Sequence, residues 1–357
     1  MRAVLMILPL LIFVAITFYI GWNVRAWLKA LHIYRWPLLY WVLLYAISFG
    51  YFIGKMHPLL TPLSVLGSYW LFVMQYGILL CIIANVLVKF TPLTTKMVGT
   101  GAVSIFAILF MIGTYYAYSP VTRSLEIEID KPGEDMRVVM ASDFHLGVLS
   151  NKGHLENFVE MSNEAKPDLV LLAGDLVDDS PMRFINTGMG EVLSQLTSTY
   201  GVYGVPGNHE YYGGEIPLFI ETMKDAGVEI LMDDTVLVAD KFYVTGREDL
   251  TNKERVELTE LVPENRDLPW IVLDHTPQDL QTPAELAVDF HVSGHTHKGQ
   301  LWPNHLITQR IFELDYGHAV KESMHALVSS GYGFWGPPMR TGSRAELWII
   351  DVKFNGQ

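Results

Sequence analysis

The sequence predicts an α-helical bundle that spans a membrane, followed by an α/β domain. Charge divides the chain in this way: residues 1–120 contain seven Lys or Arg and no Asp or Glu, whereas the rest holds 18 basic and 38 acidic residues. The second part therefore carries a formal charge of −20, against −13 for the whole chain. A hydrophobic fraction of 50% and a mean hydropathy of +0.25 are also too high for an ordinary soluble protein.

Four long apolar runs occupy the first part, near residues 4–22, 37–54, 67–88 and 98–118. Each is close to the ~20 residues that a helix needs to cross a bilayer, and none contains a charged side chain. Buried core helices are the alternative, but four such runs without an acidic residue between them favour a membrane. The first run lacks a good small-residue cleavage site, so it is not a convincing signal peptide. We predict a four-helix transmembrane region over residues 1–118.

The basic residues between the runs predict the orientation of the chain. Five of them follow the first and third runs: Arg25, Lys29, Arg35, Lys89 and Lys96. Three lie on the opposite side: Arg2, Lys55 and Arg123. Because cytoplasmic loops carry the excess of Lys and Arg, the five are expected inside. Four spans then place both termini outside, with residues 121–357 on the extracytoplasmic side.

The single cysteine and the acidic second part exclude several kinds of site. Cys81 lies inside the third run, so the chain has neither an internal disulfide nor a thiolate metal site. A domain with a charge of −20 is a poor match for a nucleic-acid groove, and we expect no nucleic-acid partner.

After Pro120, short apolar runs alternate with amphipathic ones, which is typical of an α/β or layered α+β domain. Five predicted strands each end in polar residues that can bind metal: RVVMAS (137–142) before DFH, LVLLA (169–173) before GDLVDD, GVYGVP (201–206) before GNHE, WIVLD (270–274) before His275, and VDFHVS (288–293) before GHTH. Residues 154–165 and 217–227 have helical spacing, and 324–330 and 346–352 look like further strands. Since ligands bind just beyond strand ends in such sheets, we expect these residues to form one site.

The residue types at these strand ends predict divalent metal ions. The candidate ligands are Asp143, His145, Asp175, Asn208, His275, His295 and His297. Residues two apart in an extended segment share a side, so a pair such as Asp143 and His145 can face one ion. Carboxylate, amide and imidazole without thiolate suit Mn, Fe or Zn. Seven ligands are too many for one tetrahedral ion but fit two ions that share Asp175.

The blocks DFH, GDLVD, GNHE, LDHTP and GHTHKGQ, in that order over residues 143–297, resemble those of the calcineurin-like metallophosphoesterases. The family blocks are DxH, GDxxD, GNHD/E, a lone His and GHxH. The resemblance implies, for residues 119–357, a four-layer α/β (α+β) sandwich of two mixed sheets flanked by helices. It also implies a metal-dependent phosphoric ester hydrolase with two divalent ions, manganese among the candidates.

The same resemblance implies a role for each residue. The ligands of the first ion would be Asp143, His145, Asp175 and His297, and those of the second would be Asp175, Asn208, His275 and His295. The catalytic residue beside the phosphate would be His209, with Asp178 and Glu210 as supporting groups that orient His209 or its neighbours. A hydroxide that bridges the two metals would attack phosphorus, and His209 would stabilise the charge or protonate the leaving oxygen.

Two later segments, GHTHKGQLWP and GYGFWGPPMRTGSRAELWII, resemble bacterial membrane-associated or exported phosphoesterases related to the UDP-diacylglucosamine hydrolases. This branch implies the bacterial cell membrane and a phosphate-containing substrate that is lipid-linked or part of the envelope, with membrane lipid as a partner. Trp335 and Arg340 would form either a substrate-side loop or a structural one, with equal weight.

Two other classes of function remain as alternatives. A sensor or scaffold would bind a phosphorylated ligand without turnover, and a transporter would use the spans themselves. The spans hold no charged side chain, which disfavours transport. The sequence does not distinguish phosphomonoester, phosphodiester and pyrophosphate substrates, and it leaves metal identity and oligomeric state open.

Overall fold

The structure is a computed structural model and describes residues 2–356. The chain forms two compact units. One reaches to Thr114 and includes Gly336–Met339; the other comprises Tyr115–Trp335 and the chain from Arg340 onward. The predicted boundary between residues 118 and 119 remains a prediction, and its outer ends, Met1 and Gln357, lie outside the described residues.

The first unit is helical. Its helices are α1 (Arg2–Ala30), α2 (Pro37–Ser48), α3 (Gly50–Gly54), α4 (Thr61–Ser68), α5 (Trp70–Phe90) and α6 (Thr95–Tyr118), of which α6 continues into the second unit. Within the described residues, three helical segments are long and apolar enough to cross a membrane: Ile7–Ala30, Thr61–Phe90 and Thr95–Tyr118.

The second apolar run, one of the four predicted spans, does not form one uninterrupted helix. This run is divided at Phe49, and α2 has 12 residues, about 18 Å of helix against a hydrocarbon core of about 30 Å. The division lies where α3 packs closely on α4. A Cβ atom at Gly67 would lie 2.0 Å from the backbone nitrogen of Tyr51, and one at Gly50 would lie 2.5 Å from the carbonyl oxygen of Leu63. Glycine at both positions allows the two backbones to touch.

The second unit contains twelve strands in two six-stranded sheets. The strands are β1 (Val121–Ile129), β2 (Met136–Ala141), β3 (Leu169–Ala173), β4 (Val202–Val205), β5 (Glu229–Ile230), β6 (Asp234–Val238), β7 (Phe242–Gly246), β8 (Trp270–Leu273), β9 (Phe290–Ser293), β10 (Gly317–Lys321), β11 (Met324–Val328) and β12 (Glu346–Phe354). The first sheet has the order β1-β12-β2-β3-β4-β5 and the second β10-β11-β9-β8-β7-β6. Both are mixed: β12 runs antiparallel to β2, and β6 and β10 run antiparallel to their neighbours. The predicted pair of mixed sheets is confirmed.

Alternation along the strands builds the layers of this domain. Its helices are α7 (Lys152–Ala165), α8 (Met182–Asn186), α9 (Met189–Leu193), α10 (Asn208–Gly213), α11 (Ile216–Asp225), α12 (Gln281–Glu285) and α13 (His305–Ile311). On β2, Val138 and Met140 join the core between the two sheets, whereas Val139 and Ala141 join the core under α7, α9 and α11. A third core lies on the outer face of the second sheet. This arrangement of two sheets with outer layers is the one that the resemblance implied.

The parallel strands place the site. In the first sheet β2, β3 and β4 are parallel neighbours, and in the second β8 and β9 are parallel neighbours. The carboxyl ends of parallel neighbours meet at one edge of a sheet. The loops after these five strands are the ones that carry the predicted ligands.

Candidate metal centre

The loops that follow β2 and β3 are joined by backbone hydrogen bonds. The N–H of Asp143 donates to the carbonyl oxygen of Gly174, and the N–H of His145 donates to that of Asp175, both at 2.9 Å. Asp143, His145 and Asp175 have φ angles of 53°, 46° and 52°, in the left-handed region. Such angles are unfavourable for residues with a Cβ, although Asp and His tolerate them better than most. The turns aim buried side chains at one point beyond the strand ends.

Asp143, His145 and His297 form the first group of candidate ligands. The Nε2 atoms of His145 and His297 are 3.2 Å apart, and His297 Nε2 is 3.4 Å from Asp143 Oδ1. Two imidazole nitrogens at about 2.0–2.1 Å from one ion would be separated by a distance of this size. The Asp143 carboxylate also accepts the N–H of His295 at 3.0 Å and the hydroxyl of Ser142 at 2.5 Å, which fix its position.

A second group surrounds the other side of Asp175. His275 Nε2 is 3.2 Å from Asp175 Oδ2, and His295 Nδ1 lies 2.9 Å from Asn208 Oδ1 and 3.3 Å from His275 Nε2. His275 Nδ1 lies 2.8 Å from the carbonyl oxygen of Ala173, a contact that only an Nδ1–H can make. Donation from Nδ1 gives neutral His275 a lone pair on Nε2, so this ring is oriented as metal-binding histidines usually are.

Asp175 lies between the two groups. Its Oδ2 is 3.2 Å from His275 Nε2 and 3.7 Å from His145 Nε2, and its Oδ1 accepts the N–H of His209 at 3.0 Å. The structure thus brings all seven predicted ligands together around this carboxylate. Their assignment as ligands stays a prediction. The donor set of carboxylate, amide and imidazole, with little exposure to water, fits divalent cations of the Mn, Fe or Zn type.

At three of the four candidate histidine ligands, burial favours the neutral imidazole. Burial lowers the pKa of His145 to about 3 and of His295 to about 4, and it lowers the pKa of His297 well below its ordinary value. Burial also raises the pKa of Asp143 to about 6. Neutral histidines have the free lone pair that a metal ligand requires. A divalent ion would supply positive charge that compensates the negative charge of the buried carboxylates.

Asp175 and His275 behave as an ion pair. Burial would raise the pKa of Asp175, but the charge and hydrogen bond of His275 overcome this and lower it. Burial would likewise lower the pKa of His275, but Asp175 raises it well above its ordinary value.

His209 lies beside the cluster and is held by a carboxylate. Its ring centre is 4.6 Å from that of His145, and its Nδ1 lies 2.8 Å from Asp179 Oδ1. Asp178 Oδ1 is further from the same nitrogen, at 3.9 Å, and its supporting role stays a prediction. Sequence reasoning missed Asp179, although GDLVDD offers two consecutive aspartates at this position. Burial would lower the pKa of His209, but the hydrogen bond with Asp179 and the nearby carboxylates raise it.

Glu210 supports the loops that carry the candidate ligands. It is buried, and its Oε1 accepts the N–H of Val177 at 2.9 Å while its Oε2 accepts the N–H of Gly207 at 2.7 Å. One side chain thus ties the loop after β3 to the start of α10. Glu210 therefore holds together the two segments that carry the candidate ligands Asp175 and Asn208.

The late segment around Trp335 divides into a structural part and a cleft-lining part. Arg340 is fully buried and donates from Nη2 to the carbonyl oxygen of Gly333 at 2.7 Å, with the same nitrogen 3.2 Å from His297 Nδ1. Arg340 is therefore a structural residue behind His297. Gln300, which sequence reasoning also missed, donates to the carbonyl oxygen of Trp335 at 2.8 Å and accepts its N–H at 2.9 Å. These two bonds fix the backbone of Trp335.

An open cleft of about 450 Å³ leads to the cluster. Its polar lining includes His145, Asp175, Asn208, His209, His295 and His297. Its remaining wall includes Tyr212, Ile307 and Trp335, which are 64%, 58% and 51% exposed. The arrangement can hold a ligand that has a phosphate or another anion at one end and an apolar part at the other.

Known proteins match the second part of the chain, which contains this site. Residues 136–299 match the family model described as calcineurin-like phosphoesterase. An uncharacterized metallophosphoesterase from Aquifex aeolicus is 32% identical over 243 residues, which cover 65% of this chain and 91% of that protein. A similarly named protein from Helicobacter pylori is 32% identical over 239 residues, covering 64% of this chain and 62% of its own length.

A further relative is named as a transmembrane protein. A transmembrane protein with metallophosphoesterase domain from Danio rerio is 30% identical over 272 residues, covering 71% of this chain and 62% of that protein. The chain thus spans less than two thirds of the length of the Helicobacter pylori and Danio rerio relatives. With nearly the whole Aquifex aeolicus protein covered at 32% identity, this chain belongs to the calcineurin-like metallophosphoesterase family.

Proposed function

We propose that the protein is a membrane-anchored phosphoesterase that uses two divalent metal ions to hydrolyse phosphate ester or pyrophosphate bonds of lipid-linked or envelope substrates. The observation that carries this proposal is the position of Asp175. One carboxylate oxygen of this residue faces both His145 and His275, which belong to different groups of candidate ligands. A carboxylate placed in this way can bridge two ions.

Two bound divalent ions would supply positive charge that activates water and offsets the charge of the phosphate oxygens. Asp143, His145 and His297 would hold one ion together with Asp175. The other would be held by Asp175 with Asn208, His275 and His295. These residues would be held by loops that directly follow buried strands, so they would change little in position during a reaction.

His209 is the residue best placed to handle a proton. Its Nδ1 is engaged by Asp179, which leaves Nε2 for a group in the cleft. The raised pKa favours the doubly protonated ring, whose Nε2–H can donate to a phosphate oxygen or to the leaving oxygen. The backbone N–H of His209 donates to Asp175, which fixes the ring relative to the metal ligands.

The test is metal-dependent turnover by the full-length chain. The chain in detergent is stripped of metal and refilled with Mn²⁺, Zn²⁺ or Fe²⁺, and metal is counted by mass spectrometry. Chromogenic monoester, diester and pyrophosphate substrates then separate the classes of bond. We expect two ions per wild-type chain, and Asp175→Asn should lose metal and reduce turnover by at least about 100-fold.

The matched control is Asp225→Asn, an exposed acid at the end of α11. Near-normal turnover in Asp175→Asn, or wild-type turnover without metal, would contradict the assigned centre. Two bound metals without turnover of any ester would favour the phospho-ligand sensor instead.

We also propose that the protein is multi-pass in a bacterial cell membrane, with the phosphoesterase domain outside the cytoplasm. Together α2 and α3 extend from Pro37 to Gly54, about 27 Å of helix, which is enough to cross in two pieces. Four crossings place the five basic residues that follow the first and third runs in the cytoplasm. If the second run did not cross, Arg25, Lys29, Arg35, Lys55 and Arg123 would share one side, and the same rule would place the domain inside.

Cysteine labelling of intact cells decides between these orientations. In a Cys81→Ala background, Glu156→Cys reports the side on which the exposed face of α7 lies. We expect a membrane-impermeant maleimide to label this cysteine without cell lysis. Labelling only after lysis would place the domain in the cytoplasm.

A further inference from the structure

A group of exposed apolar side chains surrounds one side of the cleft. This apolar rim consists of Trp302, Leu306, Ile307, Ile311 and Trp335, whose exposed fractions lie between 48% and 58%. Ile307 and Trp335 line the cleft itself. Helix α13, which carries three of the five, has no buried residue at all. A short helix with three large aliphatic residues in water is unusual, because exposed apolar patches normally mark a binding surface.

We propose that the apolar rim enters the interfacial layer of the membrane that anchors the chain, so that the cleft receives the phosphate of a membrane lipid. This rests on the proposed phosphoesterase function and names the substrate class, an amphipathic phosphate ester. Short apolar helices with Trp and a basic residue suit this layer, where indole rings are enriched.

The charge distribution of the domain favours a membrane as the occupant. The domain carries −20, yet residues 290–312 and 323–345 contain no Asp or Glu. These two acid-free segments carry the whole apolar rim, and they also carry Lys298, Arg310 and Arg344. An anionic bilayer surface would repel the rest of the domain, whereas it would attract this face.

One of the acid-free segments also contacts the end of α6, the last helix of the predicted membrane region. Arg344 donates from Nε to the carbonyl oxygen of Ser119 at 2.8 Å, directly after α6, and its guanidinium lies 5.2 Å from the ring centre of Tyr115. Three residues earlier, the hydroxyl of Thr341 accepts the N–H of Trp302 at 3.1 Å. Because three residues span at most about 10 Å and the side chains of Thr341 and Arg344 add to this, the backbone of Trp302 lies within roughly 25 Å of Ser119, the residue that follows α6.

The cleft offers each part of such a lipid a suitable surface. His209 and the candidate ligands line one part, and Tyr212, Ile307 and Trp335 line another. A headgroup phosphate would reach the metals while the start of the acyl chains lies on the apolar wall. The bonds of Gln300 to the Trp335 backbone hold the wall in place.

A fluorescent label at the rim tests the contact with lipid directly. The full-length Cys81→Ala chain with Leu306→Cys carries an environment-sensitive NBD label in vesicles of phosphatidylcholine and phosphatidylglycerol at about 4:1. The matched control is Ile185→Cys, an exposed aliphatic position on α8. We expect a blue-shifted emission at position 306 that doxyl-labelled lipid quenches at least about twofold more strongly than emission at 185. Equal, water-like emission at both positions would overturn the proposal.

Competition by a lipid phosphate tests the substrate class. Phosphatidic acid in the same vesicles should inhibit turnover of bis-p-nitrophenyl phosphate by the parent chain, whereas soluble glycerol phosphate at equal bulk concentration should inhibit far less. The double variant Leu306→Glu with Ile311→Glu should weaken the phosphatidic acid effect at least about tenfold, with turnover of the soluble ester retained. Ile185→Glu should leave both unchanged.

Equal inhibition of the parent and the double variant would refute the membrane role of the rim. If instead the parent chain has no metal-dependent turnover of the soluble ester, the proposed function fails, and the label at position 306 still decides whether the rim contacts lipid. A rim that is water-like in vesicles but becomes protected by an added protein would assign it to a protein partner.

Discussion

Replacement of Glu210 should destabilise the phosphoesterase domain more than any exposed acid does. The carboxylate accepts two buried backbone N–H groups, those of Val177 and Gly207. In Glu210→Ala both donors lose their partner, and each unsatisfied buried group costs about 1–3 kcal/mol. Loss of the buried Cγ methylene group adds about 0.8 kcal/mol. Water that enters the cavity would recover part of this, so we expect a loss of about 3–6 kcal/mol in the free energy of unfolding.

Glu210→Gln separates the hydrogen bonds from the packing. The amide keeps one oxygen acceptor, but its NH₂ group faces the second backbone N–H, so one donor remains unsatisfied. The expected loss is about 1–3 kcal/mol, smaller than for alanine. Glu156→Ala, at an exposed position of α7, should change the free energy of unfolding by less than about 0.5 kcal/mol.

The assay is urea-induced unfolding of the full-length chain in detergent, followed by pulse proteolysis of the domain. Hydrogen exchange of the peptides that contain Val177 and Gly207 reports the two loops directly. From most to least stable, the order should be wild type, Glu210→Gln and Glu210→Ala. Glu210→Ala as stable as Glu156→Ala, with unchanged exchange of both peptides, would refute the role of Glu210 as the tie between the ligand-bearing segments.

Two further predictions concern the chemistry of the site. Asp179→Asn removes the negative charge that strengthens the hydrogen bond with His209 and raises the pKa of this ring, so the fall of kcat/KM at alkaline pH should begin at lower pH. An unchanged pH profile would exclude His209 as the acid. Gly207→Ala places a Cβ 2.2 Å from Asp175 Oδ1, so the number of metal ions bound per chain should fall below two. The control Gly153→Ala, whose new Cβ would lie no closer than 3.4 Å to a neighbouring atom, should bind metal normally. Equal metal binding by both variants would contradict the close packing at Gly207.

The layered domain was largely predictable because its strands are short and strongly apolar. The runs that begin at residues 137, 169 and 270 correspond to β2, β3 and β8 within one or two residues. The helices that begin near residues 154 and 217 also form. In these segments the apolar run and the turn residues that follow it predict the same strand end, because a buried strand followed by glycine and a polar residue has few alternative structures. The pairing of strands within the two sheets was not readable from these local patterns, because it depends on contacts between distant segments.

The features that sequence reasoning missed all depend on distant contacts. Asp179 lies closer to His209 Nδ1 than Asp178 does, at 2.8 Å against 3.9 Å, and a sequence pattern does not rank two consecutive aspartates in a turn. Gln300 acts on Trp335, 35 positions away in the chain. Sequence reasoning named Arg340 but left its role open, and the contact that decides the role is with His297, 43 positions away. The break at Phe49 likewise results from the packing of α3 on α4. Hydropathy averages over such a break, so the second apolar run resembled one continuous helix.

The conformations of the candidate ligands show why a motif can be recognised while its geometry cannot be derived. Asp143, His145, Asp175, His295 and His297 all have φ between 46° and 69°. At about 1–3 kcal/mol each, this strain is comparable with the whole stability of a typical domain. Interactions elsewhere have to hold it, and they include the backbone hydrogen bonds between the loops after β2 and β3 and the hydrogen bonds that the Glu210 carboxylate accepts. The geometry of the candidate ligands therefore depends on the residues that hold these loops as much as on the ligands themselves. Loss of such a residue, for example Glu210, should reduce metal binding as well as the free energy of unfolding.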